Sequence, residues 1–285
     1  MMKFSVLLSV YYKENPDFLK QSLDSILNQS RLPDELVLVK DGQLSIDLDR
    51  MIDSYVRKYT GLFKILALSE NQGLGKALDV GLKYCTFDVV ARMDTDDIAT
   101  PNRFERQITV FEKYPELDVV GAWISEFENV SSNVVSIRKL PEYHNEIYLY
   151  AKKRCPINHP VVMFKKDAVF AAGGYRHFPL FEDYYLWVRM LMNGAKFYNI
   201  QESLLAFRFS SEMFKRRGGL KYAISELNLQ REFARMGFIN CYELFRNVTI
   251  RFVSRLIPNK VREFVYLKLL RYILNHLKNI HLNIL

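Results

Sequence analysis

Val89-Val90-Ala91-Arg92-Met93-Asp94-Thr95-Asp96-Asp97 is a short, mostly apolar run that empties into three carboxylates. Residues 88–92 read as a buried strand, with the acidic turn at its carboxyl end. Crowding carboxylates in this way is electrostatically costly unless a cation neutralises them. Taken alone, an acidic turn is most often a helix cap or a solvated loop. Its position in the chain changes that reading.

Upstream, strand-like and helix-like segments alternate. Strands are predicted over 4–10, 35–40 and 63–68, and helices over 16–29, 46–59 and 73–84, which makes 88–92 the fourth strand. Pro16 and Pro101 stand where helices should begin, a position proline tolerates. Strands spaced by helices of this length predict βαβ units and an α/β fold, with a parallel sheet covered on both faces. Ligands of such sheets bind beyond the carboxyl ends of the strands. Attention therefore falls on Tyr11–Glu14, Asp41–Gly42, Glu70–Gly75 and Met93–Asp97. The second half is less regular. It predicts a hairpin over 119–124 and 134–137, strands over 160–164, 196–200 and 203–207, a helix over 183–193, and helical structure from about Gly218 with a break near Pro258.

At 49% hydrophobic and 25% charged residues, the 285-residue chain has an ordinary globular composition. That excludes collagen, low-complexity disorder and a disulfide-stapled mini-protein. Three widely spaced cysteines without a CxxC pair suit a reducing, cytoplasmic compartment and argue against structural zinc. No leader segment and no run of about 18 uncharged apolar residues is expected. The net charge of +8 is concentrated at one end. From Arg246 to Leu285 eight basic residues face Glu263 alone, leaving about +1 for the rest. The basic residues Lys268, Arg271 and Lys278 share a polar stripe opposite Leu269, Leu270, Ile273, Leu277, Ile280 and Ile284. A basic amphipathic helix of this kind suits an anionic membrane surface, or else a helical hairpin packed on the main domain. No nucleic-acid recognition motif is present.

There is no GxxxxGK[ST] phosphate loop, and Gly73-Leu74-Gly75 lacks the third glycine of a dinucleotide fingerprint. The ordered blocks that remain are Ser5-Val6-Leu7-Leu8-Ser9-Val10-Tyr11-Tyr12, Val37-Leu38-Val39-Lys40-Asp41-Gly42, Asn71-Gln72-Gly73 with Ala77, Asp94-Thr95-Asp96-Asp97 and Phe181-Glu182-Asp183-Tyr184. Together they resemble the family 2 glycosyltransferases with the GT-A fold, from Phe4 to about Phe209. Asn158-His159-Pro160, Gly173-Gly174-Tyr175 and Arg216-Arg217-Gly218-Gly219 look like the bacterial transferases of exopolysaccharide and O-antigen assembly. The resemblance implies a Rossmann-like nucleotide-diphospho-sugar transferase domain over 1–215, followed by a basic helical region over 216–285.

The resemblance also implies roles. Ser9 and Tyr11 would hold the nucleotide base, with Tyr11 stacking on uracil, and Asp41 would accept a hydrogen bond from it. Lys40 replaces the first aspartate of the family's common Asp-Asp-Gly. Lys76, at a helix N-terminus, would face the diphosphate, or stand as a solvated helix lysine. Asp94 would contact the ribose, and Asp96 or Asp97 would bind Mn2+ or Mg2+. Asp183 would be the catalytic base, with Glu182 orienting the acceptor or the base; otherwise the pair favours its helix dipole. His159 would touch acceptor or diphosphate, or serve structurally. Arg216 and Arg217 would clamp the diphosphate, or form a solvated linker. The implied reaction is an inverting, single-displacement transfer from a nucleotide-sugar, a UDP-sugar, to a polyprenyl-diphosphate-linked glycan. It adds one sugar per visit at the inner face of the membrane. Two other classes stand beside it: a sugar nucleotidyltransferase, which should carry a Gly- and Lys-rich loop after the first strand, and a non-catalytic membrane-associated binding protein.

Overall fold

The computed structural model describes residues 2–209 and 219–256. Arg216, Arg217, the expected domain boundary and the basic segment from Lys260 to Leu285 lie outside the described residues. The first half follows the expected alternation: β1 (Phe4–Val10), α1 (Pro16–Leu27), β2 (Glu35–Lys40), α2 (Ile46–Lys58), β3 (Phe63–Ala67), α3 (Leu74–Tyr84) and β4 (Val89–Arg92). The four strands run parallel in the order β3-β2-β1-β4, with Ser5 level with Glu35 and Phe4 level with Val89. Local signals start the helices. Asn15 caps α1 by accepting the Asp17 amide at 2.8 Å, with Pro16 in the first turn, and Ser45 caps α2 by accepting from Leu48.

The chain continues through β5 (Ile98–Ala99), α4 (Arg103–Lys113), β6 (Val119–Phe127), β7 (Val134–Arg138), α5 (His144–Ala151), a 3-10 turn at His159–Val161, β8 (Met163–Lys165), α6 (Lys166–Ala171), α7 (Glu182–Met192), β9 (Phe197–Arg208), α8 (Gly219–Arg235) and α9 (Cys241–Leu256). The sheet extends past β4 as β8-β6-β9-β5, with β7 antiparallel to β6. Here the pairing is mixed: β8 is antiparallel to β4 and β6, while β6 and β9 are parallel.

Two expectations are corrected. The segment 160–164 is not one strand, because Pro160, which has no amide to donate, sits in the 3-10 turn and β8 starts at Met163. The segments 196–200 and 203–207 join into the single strand β9. Its register against β6 jumps between Ile200 and Ser203, so polar Gln201-Glu202 is a bulge rather than a break.

Each sheet face carries its own core. Leu7, Val37, Val39, Leu78 and Trp187 lie on the face covered by α3 and α7. Phe4, Leu8, Leu23, Ile52 and Phe104 lie on the face covered by α1, α2 and α4. The first core extends to Leu229 and Phe233, so α8 is anchored on the main body. No helix among the described residues is long and apolar enough to cross a membrane.

Candidate active site

The carboxyl ends of the parallel strands converge as the fold requires. Ser9 is half-buried near the end of β1, and Tyr11 follows it, half-buried, with its ring 5.8 Å from Tyr12 in an edge-on contact. Asp41, directly after β2, is buried. Its Oδ1 accepts the Gln72 amide at 2.7 Å and its Oδ2 the Gly73 amide at 3.0 Å. Gly73 stands at the N-cap of α3 with φ 86, has no side chain to cap the helix and adopts a conformation that suits glycine. Asp41 therefore supplies from β2 the negative charge that this helix start lacks locally. The turn it shapes delivers Gln72, Gly73, Gly75 and Lys76 to one wall of a cleft of about 320 Å³.

Tyr175, His177 and Glu182 form the opposite wall. Glu182 opens α7 and lies so close to α3 that a Cβ on Gly75 would sit 2.9 Å from its Cγ. Burial, and then the adjacent Asp183, raise the Glu182 carboxyl above its ordinary value. Asp183 follows it in α7: its charge reaches the Tyr175 hydroxyl on the same wall, its Oδ1 accepts the Tyr184 amide at 2.7 Å and its Oδ2 lies 3.9 Å from the Cys155 sulfur. His159 sits behind the wall. Its Nε2 is 2.9 Å from the Tyr175 hydroxyl and its ring packs edge-on against Trp187. Burial, then the nearby Arg92 cation, push its pKa well below the histidine range, so the ring is neutral.

The acidic turn after β4 lies beside this wall. Asp94, Asp96 and Asp97 each present an oxygen within 4.8 Å of the others. Burial, Asp94 and Glu14 push Asp96 up to about 7, and burial with Asp96 and Asp94 raises Asp97 far above the carboxylate range. Asp97 is fully buried; its Oδ1 accepts the Arg208 amide at 2.8 Å, while its Oδ2 has no hydrogen-bond partner among the described residues. A carboxylate cluster holding a buried, unpartnered oxygen is a donor set suited to a hard divalent cation, so Asp96 and Asp97 fit the expected Mn2+ or Mg2+.

Two side chains that hold this turn, Arg208 and Arg92, were given no role by the sequence; a third, Glu14, lies in the segment after β1 that the sequence singles out. Arg208 at the end of β9 donates from Nε to the Asp96 carbonyl at 2.9 Å and lies over the Phe18 ring. Arg92 pairs with Asp94, and Glu14 accepts a hydrogen bond from Thr95. Arg208 had no local signal, since it arrives from 111 residues away in sequence. Arg92 had one: it is the charged residue within Val-Val-Ala-Arg-Met.

Residues 5–170 match the model of the family described as Glycosyl transferase family 2. The UDP-Gal:alpha-D-GlcNAc-diphosphoundecaprenol beta-1,3-galactosyltransferase of Escherichia coli is 41% identical over 269 residues, covering 94% of this chain and 97% of that protein. The amylovoran biosynthesis glycosyltransferase AmsE of Erwinia amylovora is 41% identical over 268 residues, covering 93% and 98%. Among solved structures, S. aureus TarS 1-349 in complex with UDP-GlcNAc superposes with a TM-score of 0.63 at 17% identity, covering 89% of this chain and 72% of that one. The mannosyltransferase PcManGT from Pyrobaculum calidifontis, in complex with GDP-Man and Mn2+, gives 0.61 at 14% identity, covering 90% and 70%. These structural likenesses establish the GT-A fold. The nucleotidyltransferase and binding-protein alternatives fall on the sequence comparisons, because a family match over more than half the chain, joined to relatives alike along nearly all of it, makes this protein a glycosyltransferase of family 2.

Proposed function

We propose that the protein is an inverting, metal-dependent transferase that moves a sugar from a UDP-sugar to a polyprenyl-diphosphate-linked glycan in bacterial surface polysaccharide synthesis. The observation that carries this reading is the acidic turn after β4, set beside a cleft with Lys76 on one wall and Glu182 on the other. The E. coli relative supports the donor and acceptor classes, since its name specifies UDP-Gal and a diphosphoundecaprenol-linked sugar.

In this reading Tyr11 and Ser9 meet the base, and Asp94 meets the ribose. Asp41 accepts a hydrogen bond from the base and, through the Gln72 and Gly73 amides, also holds the loop that brings Lys76 to the diphosphate. Asp96 and Asp97 would hold Mn2+ or Mg2+, which when bound supplies Lewis-acid stabilisation to a departing diphosphate. Asp183 takes the proton of the acceptor hydroxyl as that oxygen attacks the sugar C1; a positioned carboxylate contributes about 10²–10⁴-fold. Glu182, on the cleft wall, orients the acceptor. Attack opposite the departing nucleotide inverts the anomeric carbon and needs no covalent nucleophile. His159 is assigned to supporting Tyr175 rather than to direct contact with acceptor. Arg216 and Arg217 are kept as the proposed diphosphate clamp.

The enzyme is proposed to work as a cytoplasmic protein bound peripherally to the inner face of the membrane, where such an acceptor lies. Tyr242, Phe245 and Ile250 on α9 are exposed, with Arg246 next to Phe245 in the chain, a mixture of apolar and basic groups suited to an anionic lipid surface. The test is a thermal-shift titration with UDP, GDP and dTDP, each with Mn2+ and with EDTA. Ligand at about 100 times its dissociation constant stabilises the fold by about 2.7 kcal/mol. A shift with UDP that requires the metal supports donor and cofactor together and makes UDP-galactose the first sugar to try. A shift with another nucleotide changes the donor, and no shift with any overturns the assignment of the acidic turn.

A further inference from the structure

Arg92 is a charged residue where the sheet calls for an apolar one. It lies in β4 level with Leu7, two residues after Val90, on the face where Val90 packs with Leu7, Val37 and Trp187. Its guanidinium is 1% exposed, whereas the carboxylate it pairs with, Asp94, is 29% exposed. The ion pair therefore runs from the core out to the acidic turn. Burying a guanidinium is costly unless its charge and donors are met. Among the described residues the Asp94 pair is the one ion pair Arg92 makes, and its Nε and Nη1 have no hydrogen-bond partner. Its main-chain carbonyl is held by Arg103 Nη2 at 2.6 Å, which anchors the strand at this residue. From the other side, the hydrogen bond from Arg92 to Oδ1 is the one that the Asp94 carboxylate accepts among the described residues. Arg92 places its one side-chain hydrogen bond among the described residues on a single partly exposed carboxylate of the site, while its charge also reaches Asp96 and Asp97.

We propose that Arg92 is a positioning residue for the transfer reaction: acting through Asp94, it fixes the carboxylate that receives the nucleotide of the donor, and it touches no substrate itself. The inference rests on reading the acidic turn as the donor site, but not on which nucleotide binds there. A flexible aspartate would have to be ordered on binding; Arg92 orders it beforehand, so the loss of Arg92 is felt as weaker nucleotide binding.

The experiment is a double-mutant cycle on the full chain. UDP, GDP and dTDP are each titrated with Mn2+ into the wild type, and the one bound tightest becomes the probe for Arg92→Met, Asp94→Asn and the double variant, with a thermal midpoint for each. Arg92→Met is expected to weaken binding by roughly tenfold in the wild-type background and by less than about twofold when Asp94 is already Asn. Arg92→Lys, which restores charge without the planar fork, is expected to recover part of the loss. If Arg92→Met does not fold, Arg92→Gln and Arg92→Lys carry the same cycle. Equal losses in both backgrounds, or loss of midpoint without a change in affinity, would overturn the proposal while leaving the donor site intact. Failure of the wild type to bind any of the three nucleotides would overturn both.

Discussion

Glu182 and Asp183 are neighbours in sequence and meet different surroundings. Glu182 faces the cleft beside Gly75 and His177, while Asp183 is turned toward Cys155 and its own helix amide. Asp183→Asn should retain nucleotide binding and lose turnover by about a hundredfold or more, read from steady-state rates beside a binding titration. An unchanged rate removes Asp183 from the role of base. Glu182 permits a pH test. Its folded pKa is raised by burial and by Asp183, so its contribution to stability is fully present below the unfolded carboxylate pKa and is lost as pH rises through the folded value. Glu182→Gln removes the ionisation. The variant should therefore gain in melting temperature over the wild type as pH rises from 4 to 8, while losing activity. A gap that stays constant across that range contradicts the assignment. The position of Asp183 was legible in the sequence because the helix that starts at Glu182-Asp183 announces itself locally. The neutrality of His159 was not, since Tyr175, Trp187 and Arg92 surround it only after folding.

At the level of elements, the parallel half could be read because each strand and helix carries its own period and its own cap. Closeness between layers left a fainter trace. Gly81 in α3 stands over β1 and β2, where an added Cβ would lie 2.5 Å from Leu7 Cδ1 and 2.6 Å from Val39 Cγ2. Gly81→Ala gains at most about 1 kcal/mol in helix propensity. It adds volume to a packed core, at a typical cost of about 1–3 kcal/mol. The net expectation is a lower urea midpoint with an unchanged m-value. A midpoint at or above wild type would show that α3 can move away from the sheet. The second half was less legible for a related reason. β9 takes its continuity from pairing with β6 and tolerates a bulge at Gln201-Glu202 that sequence alone reads as a gap. Arg208 then joins the end of that strand to the acidic turn, so the site depends on a register that no local pattern encodes.

On the scale of the whole molecule, the two ends of the charge distribution face different tasks. The acidic turn lies at the carboxyl ends of the parallel strands, whereas the basic excess begins on α9 and continues beyond the described residues. Among the described residues, the polar contacts that hold α9 to the body lie on one side. Asn247 donates to the Lys152 carbonyl at 2.7 Å and to Gln230 at 2.8 Å, and Glu243 pairs with Lys152. Its outer side exposes Tyr242 and Phe245 at 72% each and Ile250 at 62%. A surface helix that needs only solvent would carry charged residues there. In the proposed membrane contact these three side chains enter the lipid interface while Arg246 and the basic tail meet anionic headgroups. Full burial of one such side chain is worth about 1.5–3 kcal/mol, so partial insertion of three should change vesicle partitioning by roughly tenfold or more. Replacing Tyr242, Phe245 and Ile250 together by serine should cut sedimentation with anionic vesicles by that factor and leave the melting temperature near wild type, since none of the three is buried. The remaining binding should fall further with salt, because it is carried by basic residues. If the serine variant sediments as the wild type does, the contact lies elsewhere on the chain. If it binds unchanged nucleotide yet no longer sediments, the catalytic body and the membrane face are separable parts of one molecule.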